Sequence, residues 1–356
     1  MMKKNRFILL SVLVLAVISL VLILTQSKST FKRSISDFAL ADSSNVTKIF
    51  MSDKNNNMVT LTRVEPGKWM VNDKYPAQKF NIELLLKTMV DIHVNEPVSK
   101  KAHNNIIKRM AANSVKVEIY QWVYRIDLFG WIRWFPHEKL TKVYYVGDAT
   151  QSNLGTYMLM DRSTQPFVIS LPGFRGFVSP RFSPFEKYWR DYTVFSKNIT
   201  EISSVRVDVL SAPEFSYMVE NNGNNQFALL SLVDNREIKD YDTLRLLNFL
   251  SGFRSLNFEA LLNDMDPHRK DSIINSPPFI VITLTDTGRV TTTVKTYRKQ
   301  APAGMTDVNG QPFPYDMDRL YALVNDGQDF TLIQYFVFDK VLRPKTFFLK
   351  EPESKK

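Results

Sequence analysis

The chain contains no cysteine among its 356 residues. That excludes disulfides, thiolate nucleophiles, cysteine-bound metals and attachment through a lipidated cysteine. Glycine is scarce, at twelve residues, and none falls in a phosphate-cradling pattern. Gly67-Lys68 and Gly173-Phe174-Arg175-Gly176 lack the flanking glycines such a loop needs, and there is no Gly-x-Ser-x-Gly nucleophile elbow. Of the four histidines, His93, His103, His137 and His268, no two have the i, i+4 spacing of a helical metal pair. Asn263-Asp264-Met265-Asp266-Pro267-His268 offers two carboxylates and an imidazole. It has neither the central glycine nor the distant bidentate glutamate of a calcium loop, so it reads as a turn following a helix Phe258–Asn263. Asp316-Met317-Asp318 reads in the same way as a turn or helix start. No catalytic, metal or cofactor-binding residue is assigned, and no cofactor is expected.

Long apolar runs are also lacking, with one exception. Phe7–Leu24 holds eighteen residues without a charge, and as a helix it would span roughly 27 Å, close to the hydrocarbon thickness of a bilayer. Lys3, Lys4 and Arg6 precede it. The run is longer than a cleavable signal core and lacks a good small-x-small site after it, so an uncleaved anchor over residues 1–26 is expected. Lys28, Lys32 and Arg33 follow the run, which nearly cancels the charge asymmetry. The side is therefore set by the short N-terminus, which is most easily left inside while the long polar part is exported. The net charge of +10 is spread thinly, with adjacent lysines only at Lys3-Lys4, Lys100-Lys101 and Lys355-Lys356. This distribution suits a basic surface beside an anionic membrane better than a nucleic-acid groove, and no nucleic-acid partner is expected.

Residues 27–44 are polar and read as a juxtamembrane tether. Strand-like runs follow at Val46–Phe50, Met58–Thr62 and Lys68–Val71, then a helix capped by Asn81 with Ile82, Leu85, Leu86, Met89 and Ile92 on one face. A second helical piece, Asn105–Ala112, precedes a strand Val115–Tyr120. The same order recurs after Glu201. Val205–Val209, Phe215–Val219 and Gln226–Leu230 answer the three strands. Asp242 stands 161 positions after Asn81, and Leu246, Leu247, Leu250 and Phe253 repeat the helical face at that shift. Phe279–Leu284 answers Val115–Tyr120 at a shift of 164. Such self-similarity predicts an α+β fold of two tandem, duplicated units with mainly antiparallel sheets and helices on one face. The expected boundaries are 45–196 and 197–350, with a linker near Ser196–Asn198 and a polar tail at 351–356.

The two copies differ in one stretch. Where the second closes Leu284 and Val290 by the tight turn Asp286-Thr287-Gly288, the first carries QWVYRIDLFGWIRWFPHEKLTK, about seventeen residues more by the change in shift. Trp122, Tyr124, Ile126 and Leu128 alternate as in an extended hairpin, and three of the five tryptophans fall within it. Two readings stay open: aromatics folded back into the core, or a protruding tip for a partner or a membrane, made of Trp122, Phe129, Trp131, Arg133, Trp134 and Phe135.

The anchor, Val46–Phe50, Val59–Arg63, Gly67-Lys68-Trp69-Met70-Val71-Asn72, Tyr144–Gly147, Leu154–Met158 and Trp189-Arg190-Asp191 together resemble the bacterial membrane-anchored proteins grouped as domain of unknown function 4340. The resemblance covers nearly the whole chain through strand and turn patterns, and the aromatic insert at 121–139 departs from it. It implies a single-pass protein of the inner membrane of a Gram-negative, Bacteroidota-like cell, with its bulk in the periplasm. It also implies a link to auxiliary components of gliding-type ABC transporters. The expected function is a non-enzymatic scaffold or accessory subunit of an envelope complex, held to the inner membrane by Phe7–Leu24 and contacting protein partners. The alternative is a module that binds a lipid, glycan or peptide between the two units.

Overall fold

The computed structural model describes residues 12–19, 21, 36–128 and 131–350, with the backbone alone at 127, 128 and 132. Half of the expected anchor Phe7–Leu24 lies outside them; residues 12–19 and 21 are helical with exposed side chains. Among the described residues no helix is long and apolar enough to cross a membrane. Phe129 and the tail 351–356 also lie outside the described residues.

The chain forms two compact α+β units, Met1–Asp191 and Tyr192–Lys356. In the first, strands β1 (Val46–Ser52), β2 (Met58–Glu65), β3 (Lys68–Val71) and β4 (Tyr75–Pro76) form a meander. Helix α1 (Lys79–Asp91), strand β5 (His93–Pro97) and helix α2 (Lys100–Asn113) lead to a long hairpin of β6 (Val115–Leu128) and β7 (Ile132–Ala149). β8 (Thr156–Met160) and β9 (Phe167–Ser170) complete a nine-stranded sheet of order β4-β3-β2-β1-β6-β7-β8-β9-β5, whose paired strands are all antiparallel.

The second unit contains β10 (Thr193–Phe195), β11 (Ile202–Val209), β12 (Tyr217–Asn221), β13 (Phe227–Ser231), helix α3 (Thr243–Ser251), β14 (Leu256–Asn257) and β15 (Ala260–Leu261). Helix α4 (Pro267–Ile274), β16 (Ile280–Asp286), β17 (Thr291–Gln300), β18 (Tyr315–Val324) and β19 (Asp329–Gln334) follow. Its eight-stranded sheet runs β13-β12-β11-β16-β17-β18-β19-β15, the order of the first sheet strand for strand once β4 is set aside. Even the irregularities agree: the ladder of β1 on β6 slips between Val46 and Lys48, and that of β11 on β16 slips between Ile202 and Ser204.

In each unit the main core lies under the first helix. Ile82, Leu85 and Met89 of α1 join Ile49, Met51, Val117, Ile119, Tyr144 and Met158, while Leu246, Phe249 and Leu250 of α3 join Val205, Val207, Ile282, Leu284 and Ala322. Helices cover both faces of the sheets, which corrects the expectation of one. Ile106 and Met110 of α2 pack on Tyr145, Tyr157 and Leu159, whose chain neighbours point into the main core. Ile273 and Ile274 of α4 do the same against Tyr297, Tyr321 and Leu323. Successive strand residues face opposite sides, so one apolar helix on each side satisfies both.

Several local expectations are corrected by hydrogen bonding. Asp242 caps α3, its carboxylate accepting from the N–H groups of Leu244 and Arg245 at 2.8 and 3.1 Å. Asn81 does not cap α1, which starts after Gln78; its amide instead donates to the Tyr188 carbonyl at 2.7 Å, tying the helix to the end of the unit. α2 starts earlier than Asn105, after Ser99, whose hydroxyl accepts from Ala102 N–H. Residues 258–263 are not helical: Glu259 N–H donates to Leu332 and Leu262 N–H to Phe330, drawing the segment onto β19, where β15 forms the sheet edge. Pro267 opens α4 rather than ending a helix, and Asp266 caps it by accepting from Arg269 N–H at 2.9 Å. Asp316-Met317-Asp318 lies in β18, where the buried Asp316 carboxylate meets Lys299 Nζ at 2.6 Å.

The tether is shorter than expected, because Phe38 and Leu40 are buried in the first core. Leu40 N–H donates to the Met89 carbonyl at 2.7 Å. The division of the units precedes residue 196, since β10 pairs with β14 of the second unit. Lys197, read as linker, bonds Asp286 at 2.6 Å.

Candidate interaction surface

β1 flanks β6 only as far as Gln121, and β8 flanks β7 from Tyr144 to Ala149. Beyond those points the two strands pair with each other, through Trp122↔Glu138, Tyr124↔Pro136 and Ile126↔Trp134 to Leu128↔Ile132. The insert is therefore a two-stranded ribbon that continues the sheet. The matching pair in the second unit stops at Thr285↔Thr291.

The ribbon is tied down at its root. The register slips between Ile119 and Tyr120, leaving Thr141 extra on β7, and its hydroxyl donates to Gln121 Oε1 at 2.6 Å. Such a bulge bends and twists the strand that carries it. Glu138 accepts from the Thr47 hydroxyl at 2.6 Å and pairs with Lys48 Nζ at 3.1 Å. Both lower its carboxyl below the usual range, the Thr47 bond most, against an opposing push from burial. Next along the outer face, Glu118 accepts from Lys116 at 2.6 Å and from the Tyr120 hydroxyl at 2.9 Å. Burial raises the Glu118 pKa, but these two bonds outweigh it and leave it lowered. Residues 37–45 run past this root: Asp37 pairs with Lys142 Nζ at 2.8 Å, the Asp42 carbonyl accepts from Gln121, and the Asn45 carbonyl from Trp122 N–H.

Past the root the two faces of the ribbon differ, one aromatic with Glu138 at its base, the other mixing cationic side chains with Val123 and Phe135. By strand alternation, Trp122, Tyr124, Ile126 and Trp134 share one face, and Val123, Arg125, His137 and Lys139 the other. The second face bounds an open groove of about 460 Å³, with Leu140 and Thr141 at its foot. Arg133 sits over the Tyr124 ring at 5.6 Å. The aromatics are exposed along the ribbon, 51% at Trp122, 64% at Phe135 and 61% at Trp134, and most of all at Trp131 beside the turn, at 92%. None of these aromatics belongs to the core clusters, whereas Trp69 and Trp189 do. Of the residues singled out in the sequence, Trp122, Trp131, Arg133, Trp134 and Phe135 thus stand together on one ribbon. Phe135 has φ of 57°, a left-handed conformation that a bulky residue adopts only under constraint. Sequence reading missed Arg125 and Lys139, whose place opposite the aromatic face follows from the same alternation.

Among the described residues no group of three or more His, Asp or Glu side chains is placed to hold a metal. A depression of about 230 Å³ between Leu84, Leu85, Arg181, Tyr188 and Trp189 is below the usual size of small-molecule sites, ~300–1,000 Å³. The chain matches no family model, no curated protein and no solved structure.

Proposed function

We propose that the protein is a membrane-tethered accessory or scaffold subunit of an envelope complex, built from two copies of one α+β unit, whose working surface is the ribbon at 121–139. The observation that carries this reading is the ribbon itself. A large apolar surface that no core needs, on an otherwise ordinary sheet, is a cost in solubility that contact with another surface offsets. Equal strand order and the shared slip at Val46/Lys48 and Ile202/Ser204 support the duplication. The apolar run Phe7–Leu24 supports the tether, and the sequence resemblance supports a periplasmic setting beside an ABC transporter.

Crosslinking of the full chain in membranes, followed by recovery of its partners, tests the role. The comparison is with a variant in which 121–139 is replaced by the short turn of the second unit. Recovery of proteins crosslinked to the first unit drops in the variant, because the unit loses its contact surface or the pose that surface imposes. Identical partner sets in equal yield would overturn the reading.

A further inference from the structure

We infer that the ribbon tip is a second membrane contact, seated at the headgroup level of an anionic phospholipid bilayer. This rests on the tethered reading above. Two observations favour a bilayer over a protein as the occupant, and a third sets the depth of the contact.

The first is where the ribbon starts. Residues 37–45 cross its root through Asp37–Lys142, Asp42–Gln121 and Asn45–Trp122. The chain leading from Phe7–Leu24 therefore reaches the folded unit at the base of the ribbon. The residues between Leu24 and Asp37 span at most about 40 Å, and the ribbon from Gln121 to its turn extends about 30 Å. A tip of that length and a tether of that reach meet one surface without strain.

The second is side-chain chemistry. Trp131, Trp134 and Phe135 are the exposed aromatics nearest the turn, and tryptophan favours the membrane–water interface, where an apolar ring and a polar N–H are both satisfied. Three cations, Arg125, Arg133 and Lys139, share the ribbon with two carboxylates, Asp127 and Glu138, and Lys48 already holds Glu138. The groove lined by Arg125, His137 and Lys139 beside Val123 and Leu140 suits a phosphate with the start of its acyl chains.

The third is the backbone. β1 pairs with β6 only to Gln121 and the Asn45 carbonyl takes the Trp122 N–H, so past Trp122 the outward N–H and C=O groups of β6 have no ladder partner in the flanking strand. Unpaired backbone is barred from hydrocarbon but tolerated among headgroups. The tip therefore rests shallowly rather than spanning.

The test uses the full chain with vesicles of phosphatidylcholine alone or with equal phosphatidylglycerol, carrying a doxyl quencher either near the headgroup or deep in the acyl chain. Trp69 and Trp189 are buried, so tryptophan quenching reports the ribbon. The shallow quencher acts more strongly than the deep one, more with phosphatidylglycerol than without, and Trp131→Ser/Trp134→Ser removes most of the effect. Arg125→Gln/Arg133→Gln/Lys139→Gln keeps the tryptophans and abolishes the dependence on phosphatidylglycerol. Circular dichroism of each variant confirms that it folds. Equal quenching of wild type and the tryptophan variant, or none, overturns the tip contact. Flotation with phosphatidylcholine vesicles separately reads the Phe7–Leu24 tether. A chain that floats unquenched loses the tip proposal alone, and one quenched without floating loses the tether alone.

Discussion

Glu118 shows how the ribbon is held by ordinary side-chain chemistry. Its carboxylate accepts from Lys116 and Tyr120 three residues before β6 passes beyond β1 at Gln121, and its pKa is lowered although burial opposes this. A carboxyl with a lowered folded pKa adds stability above its unfolded value, ordinarily 4.5, and loses it as pH falls through the folded one. Glu118→Gln is therefore expected to cost about 1–2 kcal/mol at neutral pH in urea unfolding. The gap between variant and wild type narrows as pH falls below 4.5. A gap independent of pH would show that the charge contributes nothing. Deeper in the fold, Leu85 and Leu250 are each fully buried under the first helix of their unit. Truncating either to alanine removes packed methyl groups and leaves a cavity, at a cost of about 3 kcal/mol. Hydrogen exchange in α1 for Leu85→Ala, and in α3 for Leu250→Ala, reads the loss locally. Asp242→Ala removes the acceptor for two N–H groups of α3 and costs about 1 kcal/mol by the same urea measurement.

At the level of elements, the hairpin of β6 and β7 carries two parts with different dependences. The pairs from Val115↔Val146 to Ile119↔Lys142 belong to the sheet and the core, and the pairs beyond Gln121↔Lys139 belong to neither. Replacing 121–139 by the Asp286–Val290 turn is thus expected to leave the first unit folded, with Tm within about 5 °C of wild type. A collapse in Tm would place the ribbon's aromatics in the stability of the unit. The ribbon was legible in the sequence because Trp122, Tyr124, Ile126 and Leu128 alternate and because the second copy lacks the stretch. Its exposure was not legible, since the same alternation describes a strand padding a core. Helix starts were read unevenly for a related reason. The Asp242 carboxylate accepts from its own helix turn and obeys local preference, although its backbone N–H donates to the Phe348 carbonyl, while the Asn81 side chain is claimed by the Tyr188 carbonyl, far away in sequence.

Across the whole molecule, each unit answers to its own core, and the shared order of strands explains why the sequence repeats at all. The positions that recur at a shift of 161, such as Leu85 with Leu246 and Met89 with Leu250, are those facing the sheet. The sequence by itself determined the α+β class, the antiparallel strands, the apolar face of each first helix and the site of the aromatic insert. Those features follow from periodicity and composition along a few neighbouring residues. Tertiary structure alone decided that Phe38 and Leu40 belong to a core, that α2 and α4 cover the opposite face, and that residues 258–263 join a sheet edge. It also decided that the aromatic ribbon stands clear of the core. Burial and pairing are set by residues tens of positions apart or more, and no local pattern records where those will meet.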